Sequence, residues 1–377
     1  MASVTIPGAE TITNLKDDAM QFWQEISSKH KRANILVAGK TGVGKSSLIN
    51  AVFRDQLAET GLGRPVTQQL NIIYSPGVPL NILDTKGLEL EDYESIKGDI
   101  LNEVRRRRST EDDDYVHVAW LCIEQEGKRI EEAEISLAKD LAELGVQIIV
   151  VLTKCHNFKD TEFSEVVKEK FHGIVHNIVL TRGIETPRYD EDENIIGNNV
   201  IRGIDELIHT SYEVIPEAQK QAFSDALNIR NKEAIIKKKE EAKKVIQAAS
   251  GAAAVVGAAP IPFSDAFLLF PIQAVMIVKI SGIFGMSVSK DAIMPVITTL
   301  GGSTAATVIG KSIVTGIMKM IPGLGSFIGG ALSATVAGKL TTGMGEAYMA
   351  GLLTLVEEGK PLDLASALAV LKSKVSS

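Results

Sequence analysis

A chain of 377 residues, 45% hydrophobic and 23% charged, has the length for two or three domains and an ample core. Cys122 and Cys155 lack ligand spacing, which excludes a disulfide framework and reads as two buried reduced thiols of a cytosolic protein. The net charge of −7 hides a split: 24 Lys and Arg face 36 Asp and Glu before Pro216, and 16 face 11 from there on. An acidic first half therefore adjoins a mildly basic, Gly/Ala-rich apolar second half that accounts for the positive mean hydropathy of +0.11.

The first ten residues show no basic stretch leading into an apolar one, so no secretion signal is read there. Leu15, Ala19, Phe22 and Ile26 then recur at helical spacing with Asn14 as cap. This predicts an amphipathic helix within residues 1–31, expected to return to the C-terminal helices for a partner surface. Residues 33–38 form an apolar run that reads as a buried strand. It leads into Gly39-Lys40-Thr41-Gly42-Val43-Gly44-Lys45-Ser46, which fills every fixed position of G-x-x-x-x-G-K-[ST], and residues 47–53 continue as a helix. Strand, loop and helix in that order give the pattern its meaning. Glycines let backbone N–H groups curl round an anion, and the helix presents its free amides and positive dipole end to the same phosphates. Lys45 then reaches the β- and γ-phosphates, while the Ser46 hydroxyl takes one position around Mg²⁺.

A polar stretch, 54–69, holds Thr67 and is followed by strands at 70–74 and 80–84, the second ending in Asp84-Thr85-Lys86-Gly87. A carboxylate at the C-terminal end of a buried strand, three residues before a glycine, lies where an α/β sheet places its ligand. In this D-x-x-G arrangement Asp84 holds Mg²⁺ through water and the Gly87 amide touches the γ-phosphate. Ile96, Ile100 and Val104 mark a helix that ends in Arg105-Arg106-Arg107-Arg108. That run reads as a solvated helix terminus, with an arginine offered to a partner as the alternative. A strand at 116–123, a helix closed by Gly145, and a strand at 146–152 ending in Thr153-Lys154-Cys155-His156 come next. A helix at 161–171, a strand at 174–180 and a helix at 204–214 complete the alternation. The first half is thus an α/β domain built on a doubly wound, mostly parallel sheet.

These motifs resemble the translation-factor-related GTPases, in their Era-like and septin-like branch, over residues 33–212. The resemblance implies bound GTP or GDP with nucleotide contacts from Thr41, Gly42, Val43, Gly44, Lys45, Ser46 and Ser47. It implies Mg²⁺ held by Ser46, Thr67 and Asp84, and hydrolysis carried by Lys45, Thr67 and Gly87. Two departures stand out. The family's guanine-reading [NT]-K-x-D is matched by Thr153 and Lys154, but His156 replaces the Asp, and a neutral imidazole offers one acceptor where a carboxylate offers a fork. Guanine selectivity is then weakened or supplied elsewhere, with Asp160 a candidate, or His156 merely caps the loop. The family's water-positioning Gln would follow Gly87, and Leu88 stands there, so hydrolysis should be slow alone. Arg64 and Lys86 are candidates for the missing group, donated across a nucleotide-dependent homodimer.

From Pro216 a long charged helix is expected, its run from Lys237 to Lys244 reading as a solvated surface rather than a nucleic-acid stripe, because aromatics are missing beside it. Residues 245–264, 292–310 and 320–338 carry no charge but are interrupted by Gly, Ser, Thr and Pro. A bilayer span is long enough in each, with Gly325 and Gly329 as a contact face, yet a compact all-α, Gly/Ala-rich bundle is the leading reading. This half resembles the apolar helical domain that follows Era-like G domains in some bacterial proteins, and in outline the helical part of the immunity-related GTPases. That implies membrane contact through 245–340.

The domains read as residues 1–31, a helix packing on the helical domain; 32–214, the G domain; and 215–377, the helical domain. Two functions stand side by side. One is a slowly hydrolysing GTPase switch that couples nucleotide state to self-association or membrane contact, cytoplasmic or attached to a membrane through its C-terminal half. The other is a nucleotide-gated interaction module with negligible hydrolysis. An RNA or ribosome-assembly role is disfavoured by the acidic first half, and no nucleic-acid partner is expected.

Overall fold

The computed structural model describes residues 32–53, 62–65, 70–74, 80–88, 93–109, 114–158, 161–190, 194–257, 269–286, 295–296 and 334–376. They fall into two compact units, divided between Ile236 and Lys237.

The first unit is built on a seven-stranded sheet of order β2-β3-β4-β1-β5-β6-β7. Its strands are β1 (Ala33–Gly39), β2 (Leu62–Pro65), β3 (Leu70–Tyr74), β4 (Leu80–Thr85), β5 (Val118–Glu124), β6 (Gln147–Thr153) and β7 (Asn177–Leu180). The pairings β4·β1, β1·β5, β5·β6 and β6·β7 are parallel, whereas β2·β3 and β3·β4 are antiparallel. The central strands β1, β5 and β6 are near-continuous apolar runs because helices cover both of their faces. The two-residue period of a strand sorts them into two layers. Ile35, Val37, Trp120, Ile149 and Val151 belong to one apolar cluster, and Leu36, Ala38, Leu121, Val150 and Leu152 to the other.

The second of these layers is covered by α2 (Tyr93–Arg108), α3 (Glu132–Glu143) and α4 (Thr161–Lys170). The first is covered by α1 (Lys45–Val52), α5 (Ile204–Val214) and α6 (Glu217–Ala226). Trp120 anchors the first layer. Its ring stacks on Phe53 at 5.6 Å, Phe53 meets Phe223 edge-on at 5.9 Å, and the indole Nε1 donates to Ser211 Oγ at 3.0 Å.

Phe223 lies on α6, beyond the domain boundary expected after 214. Pro216 does not end the first unit: it caps the start of a helix whose Ala222, Phe223 and Ala226 complete the apolar layer over β1. The backbone carbonyls of Ala51 and Val52 are engaged from farther on, by Asn231 Nδ2 and the Asn228 amide, both at 2.9 Å.

Arg105, Arg106 and Arg108 are exposed, as expected of a helix terminus, and Arg107 is the exception. Arg107 is 3% exposed, and its Nε donates to Glu103 Oε1 at 2.7 Å. Arg106 grips both oxygens of the same carboxylate at 2.7 Å. Burial pushes the Glu103 carboxyl up, and the hydrogen bonds and charges of Arg106 and Arg107 more than reverse this, leaving it below its ordinary value. Arg108 Nη1 donates to the Leu144 carbonyl at the end of α3 at 2.5 Å.

Beyond β7, a two-stranded antiparallel hairpin, β8 (Thr186–Tyr189) and β9 (Ile195–Asn199), stands apart from the main sheet.

The second unit is helical in its described residues. It holds the body of α7 (Lys232–Gly257), then α8 (Phe270–Ile283), α9 (Ala334–Glu357) and α10 (Leu364–Ser376). α8 is apolar and buried on nearly all sides, as a helix at the centre of a bundle must be. Small residues allow close approach: a Cβ added at Gly345 would come within 2.6 Å of Ile246 Cγ1 and 2.9 Å of Met276 Sδ. Several polar groups in this packing are paired, with Ser281 Oγ on Tyr348 Oη at 2.6 Å and Ser250 Oγ on the Gly338 carbonyl at 2.8 Å, whereas Gln273 Oε1 on α8 is buried without a partner among the described residues.

The charged run 237–244 also departs from a solvated surface, because Lys237, Lys238 and Glu241 are buried. Lys238 Nζ donates to the Ile283 carbonyl at 2.6 Å, placing a cation on the C-terminal end of α8 where the helix dipole favours it. Among the described residues no helix is long and apolar enough to cross a membrane. The expected N-terminal helix, Gly325, Gly329 and most of the charge-free runs 292–310 and 320–338 lie outside the described residues.

Candidate functional site at the carboxyl edge of the sheet

The four parallel pairings send β1, β4, β5, β6 and β7 out at the same edge, and the residues beyond their ends form the site. β1 ends at Gly39, whose φ of +150° and tight packing require glycine: a Cβ there would lie 2.4 Å from the Cys122 carbonyl oxygen. Cys122 itself is fully buried, and burial pushes its thiol up to about 12, so it is inert packing. The chain then turns through Gly42 (φ +74°) and Gly44 (φ +102°), the latter capping α1. Lys45 opens α1, and its ammonium bonds the Gly39 carbonyl at 2.9 Å and the Lys40 carbonyl at 3.1 Å, inside the loop it belongs to. Ser46 is exposed and Ser47 half-buried on the first turn. Val43 points inward, 4% exposed, in the core cluster of α1.

β4 brings Asp84 beside this loop, in register with Val37 of β1. Among the described residues Asp84 Oδ1 is buried without a hydrogen-bond partner. Burial raises its carboxyl above the ordinary value, and the Lys45 charge opposes the rise. Three residues on, Gly87 touches the loop: a Cβ there would lie 1.9 Å from Thr41 Oγ1 and 2.5 Å from the Thr41 nitrogen. The D-x-x-G segment is thus in van der Waals contact with the loop. Leu88 is 1% exposed and joins the apolar cluster of Leu36 and Ile96, so its side chain leaves the site altogether.

A buried, orphaned carboxylate oxygen at the sheet edge that carries the glycine loop and the Ser46 hydroxyl fits a small divalent cation. Such an ion takes one or two protein oxygens and completes its shell with water and phosphate. Ser46 and Asp84 would hold it. Among the described residues no cluster of three His, Cys, Asp or Glu offers an all-protein metal cage. Thr67 and Asp160 lie outside the described residues, and Arg64 contributes its backbone to β2.

At the other end of the loop, Thr153 Oγ1 donates to the Val43 carbonyl at 2.6 Å, tying the end of β6 to the phosphate loop. Lys154 adopts a positive φ of +52° and pairs with Glu124 at 2.9 Å. His156 Nε2 lies 2.9 Å from Glu126 Oε1. An open cavity runs beside Gly44, Ser47, Thr153, Lys154 and His156.

Its far wall is Thr181, Arg182, Gly183, Ile184 and Thr186, none of them anticipated from the sequence. Gly183 packs closely on α1, where a Cβ would come within 3.0 Å of the Ser47 carbonyl. Arg182, 7% exposed, donates to the carbonyls of Cys155 at 2.6 Å, His156 at 3.2 Å and Val200 at 3.2 Å. The available signal was positional: these residues follow the end of β7, the last strand of the parallel sheet. The structure therefore gathers Thr41 through Ser47, Asp84, Gly87, Thr153, Lys154 and His156 along one edge.

Residues 34–154 match the family described as 50S ribosome-binding GTPase, and residues 224–357 match a domain of unknown function, DUF697. GTPase Era of Xanthomonas axonopodis pv. citri (strain 306) is 24% identical over 216 residues, covering 55% of this chain and 64% of that protein. Cell division control protein 10 of Saccharomyces cerevisiae is 26% identical over 196 residues, covering 44% of this chain and 58% of that protein. The chain thus spans less than two thirds of the length of either relative. A crystal structure of a probable GTP-binding protein engB overlays with a TM-score of 0.33 at 19% identity, covering 48% of this chain and 98% of that one.

Proposed function

We infer, for a chain whose residues 34–154 form a P-loop GTPase domain, a nucleotide switch that binds GTP and GDP with Mg²⁺ and hydrolyses GTP slowly. The observation that carries it is the convergence of the Gly42–Ser46 loop, the orphaned Asp84 carboxylate and Gly87 at one edge of the sheet. The amides at the start of α1 bind phosphate oxygens. Lys45 exchanges its two loop carbonyls for the β- and γ-phosphates. Ser46, Asp84 and Thr67 are the side chains offered to Mg²⁺, which when bound neutralises charge on the phosphates. Gly87, already against Thr41, carries the presence or absence of the γ-phosphate into the segment that follows β4.

Leu88 offers nothing polar to an attacking water and is turned into the core, so a group from outside the site has to position that water. A second copy of the chain is the partner favoured. Ile184 in the cavity wall, Ile195 and Ile196 on β9, and Val200 and Ile201 just after it are exposed large hydrophobics. Membrane contact through residues 245–340 rests on the charge-poor sequence. The nucleotide-gated interaction module remains the second reading, favoured by the same burial of Leu88.

Steady-state hydrolysis of GTP and ATP with Mg²⁺ across a range of protein concentrations, with Lys45→Ala as blank, separates the two. GTP turnover per molecule that rises with concentration supports activation by self-association. Rates at the blank level alongside measurable nucleotide binding support the interaction module. Co-sedimentation with liposomes in the GDP and GTP states tests the membrane arm, and equal pelleting in both states removes it.

A further inference from the structure

The end of the cavity where the base would lie carries an unusual pair. A guanine edge presents two adjacent donors, N1–H and the 2-amino group, and two acceptors would satisfy both. A neutral imidazole at position 156 offers one acceptor nitrogen. Which nitrogen accepts is decided by what stands behind the ring, and what stands there is Glu126, with Oε1 at 2.9 Å from Nε2. An ionised carboxylate only accepts, so a neutral ring carries its proton on Nε2 and leaves Nδ1 as the acceptor.

The backbone around this pair is held on both sides. Gln125, next to Glu126 and 4% exposed, donates its amide to the Thr153 carbonyl at 3.1 Å and its Nε2 to the Asn157 carbonyl at 2.9 Å. The buried Arg182 guanidinium binds the carbonyls of Cys155 and His156 from the cavity side. An exposed ion pair contributes little to stability; what this bracing fixes is the backbone from which Glu126 and His156 project. The neighbouring carboxylate, Glu124, is engaged by Lys154.

We propose that the site reads a 6-oxopurine through one acceptor, the His156 nitrogen left open by Glu126, and that Glu126 is the positioning residue that sets it. This deepens the nucleotide-switch reading and rests on it. The substrate class is then purine nucleotides carrying N1–H, inosine as well as guanine, because nothing in the pair requires the 2-amino group. Adenine presents a lone pair at N1 and is the disfavoured base.

The test is competition of GDP, IDP and ADP, each with Mg²⁺, against a fluorescent guanine nucleotide on the full chain. Wild type is expected to bind GDP and IDP within about threefold and ADP roughly tenfold more weakly, the worth of one matched hydrogen bond. Glu126→Gln, whose amide can donate or accept and no longer sets the ring, is expected to lose most of the preference for GDP over ADP. Glu126→Lys, a donor only, is expected to invert it. His156→Asp installs a two-acceptor fork and is expected to separate GDP from IDP by roughly tenfold and to make selectivity indifferent to residue 126.

A wild type that already prefers GDP over IDP by tenfold overturns the single-acceptor reader. Glu126 variants with wild-type melting temperature and unchanged base preference overturn the role of Glu126. No binding of any nucleotide by wild type overturns instead the switch reading on which the proposal stands.

Discussion

The phosphate end and the base end of the site are made from different material. At the phosphate end the working parts are backbone: glycines with positive φ, the free amides of α1, and Gly87 pressed against Thr41. At the base end they are side chains, Lys154, His156, Glu126 and Arg182, brought together by loops after β5, β6 and β7. Backbone recognition tolerates little variation, because a turn fixed by glycine has few sequence solutions. Side-chain recognition can be rebuilt from other residues, as His156 with Glu126 suggests.

Substitutions at the phosphate end should therefore produce large effects that ignore the base. Lys45→Ala removes the ammonium proposed to neutralise the transferred phosphate, and a loss of about 10²–10³-fold in hydrolysis is expected. Nucleotide affinity should fall for GTP and ATP alike, which titration with both nucleotides checks. A Lys45→Ala protein with unchanged hydrolysis would place the chemistry elsewhere. Next in size is Gly87→Ala. Its Cβ has no room against the Thr41 nitrogen, so loop and D-x-x-G segment must separate, and GTP affinity is expected to fall by roughly tenfold or more. GDP affinity should fall less, since it lacks the phosphate that Gly87 would touch.

How much was legible follows the same division. The Gly39–Ser46 pattern and Asp84–Gly87 are local strings, and the apolar runs of β1, β5 and β6 announce a parallel sheet covered on both faces. What stayed hidden depended on long-range placement. Nothing near Phe223 says that it will meet Phe53, 170 positions earlier, so the first domain reads from sequence as ending at residue 214. Arg107 reads as solvated in the sequence, and its burial against Glu103 is set by the way α2 packs. Thr181 to Gly183 carry no fixed pattern, and only the position of β7 in the sheet gives them a wall of the cavity.

Asp84 offers a prediction of opposite sign for stability and function. Burial raises its carboxyl in the folded chain, so the native state without ligand holds that proton more tightly than the unfolded chain does. Stability from this group is present below the unfolded pKa and is lost as pH rises through the folded one. Without nucleotide, Asp84→Asn should therefore stabilise the protein near neutral pH, by about 1 kcal/mol, and flatten the decline of melting temperature as pH rises from the acid side. The same variant should lose the enhancement of nucleotide binding by Mg²⁺. A destabilised Asp84→Asn would mean that the carboxylate has a structural partner outside the described residues.

Gly183→Ala is the mildest change and falls at the base end. The added methyl meets the Ser47 carbonyl at 3.0 Å and the Leu48 nitrogen at 3.2 Å, distances that a few tenths of an ångström would relieve. The wall should then move outward against the first turn of α1 rather than break. A loss of about threefold in affinity is expected, equal for GTP and GDP because neither β- nor γ-phosphate contact changes, with melting temperature nearly unchanged. Unequal losses would mean that the wall after β7 senses the phosphates through Ser47. The two ends of the site would then be one mechanical unit, and the division between backbone and side-chain recognition would be a matter of chemistry alone.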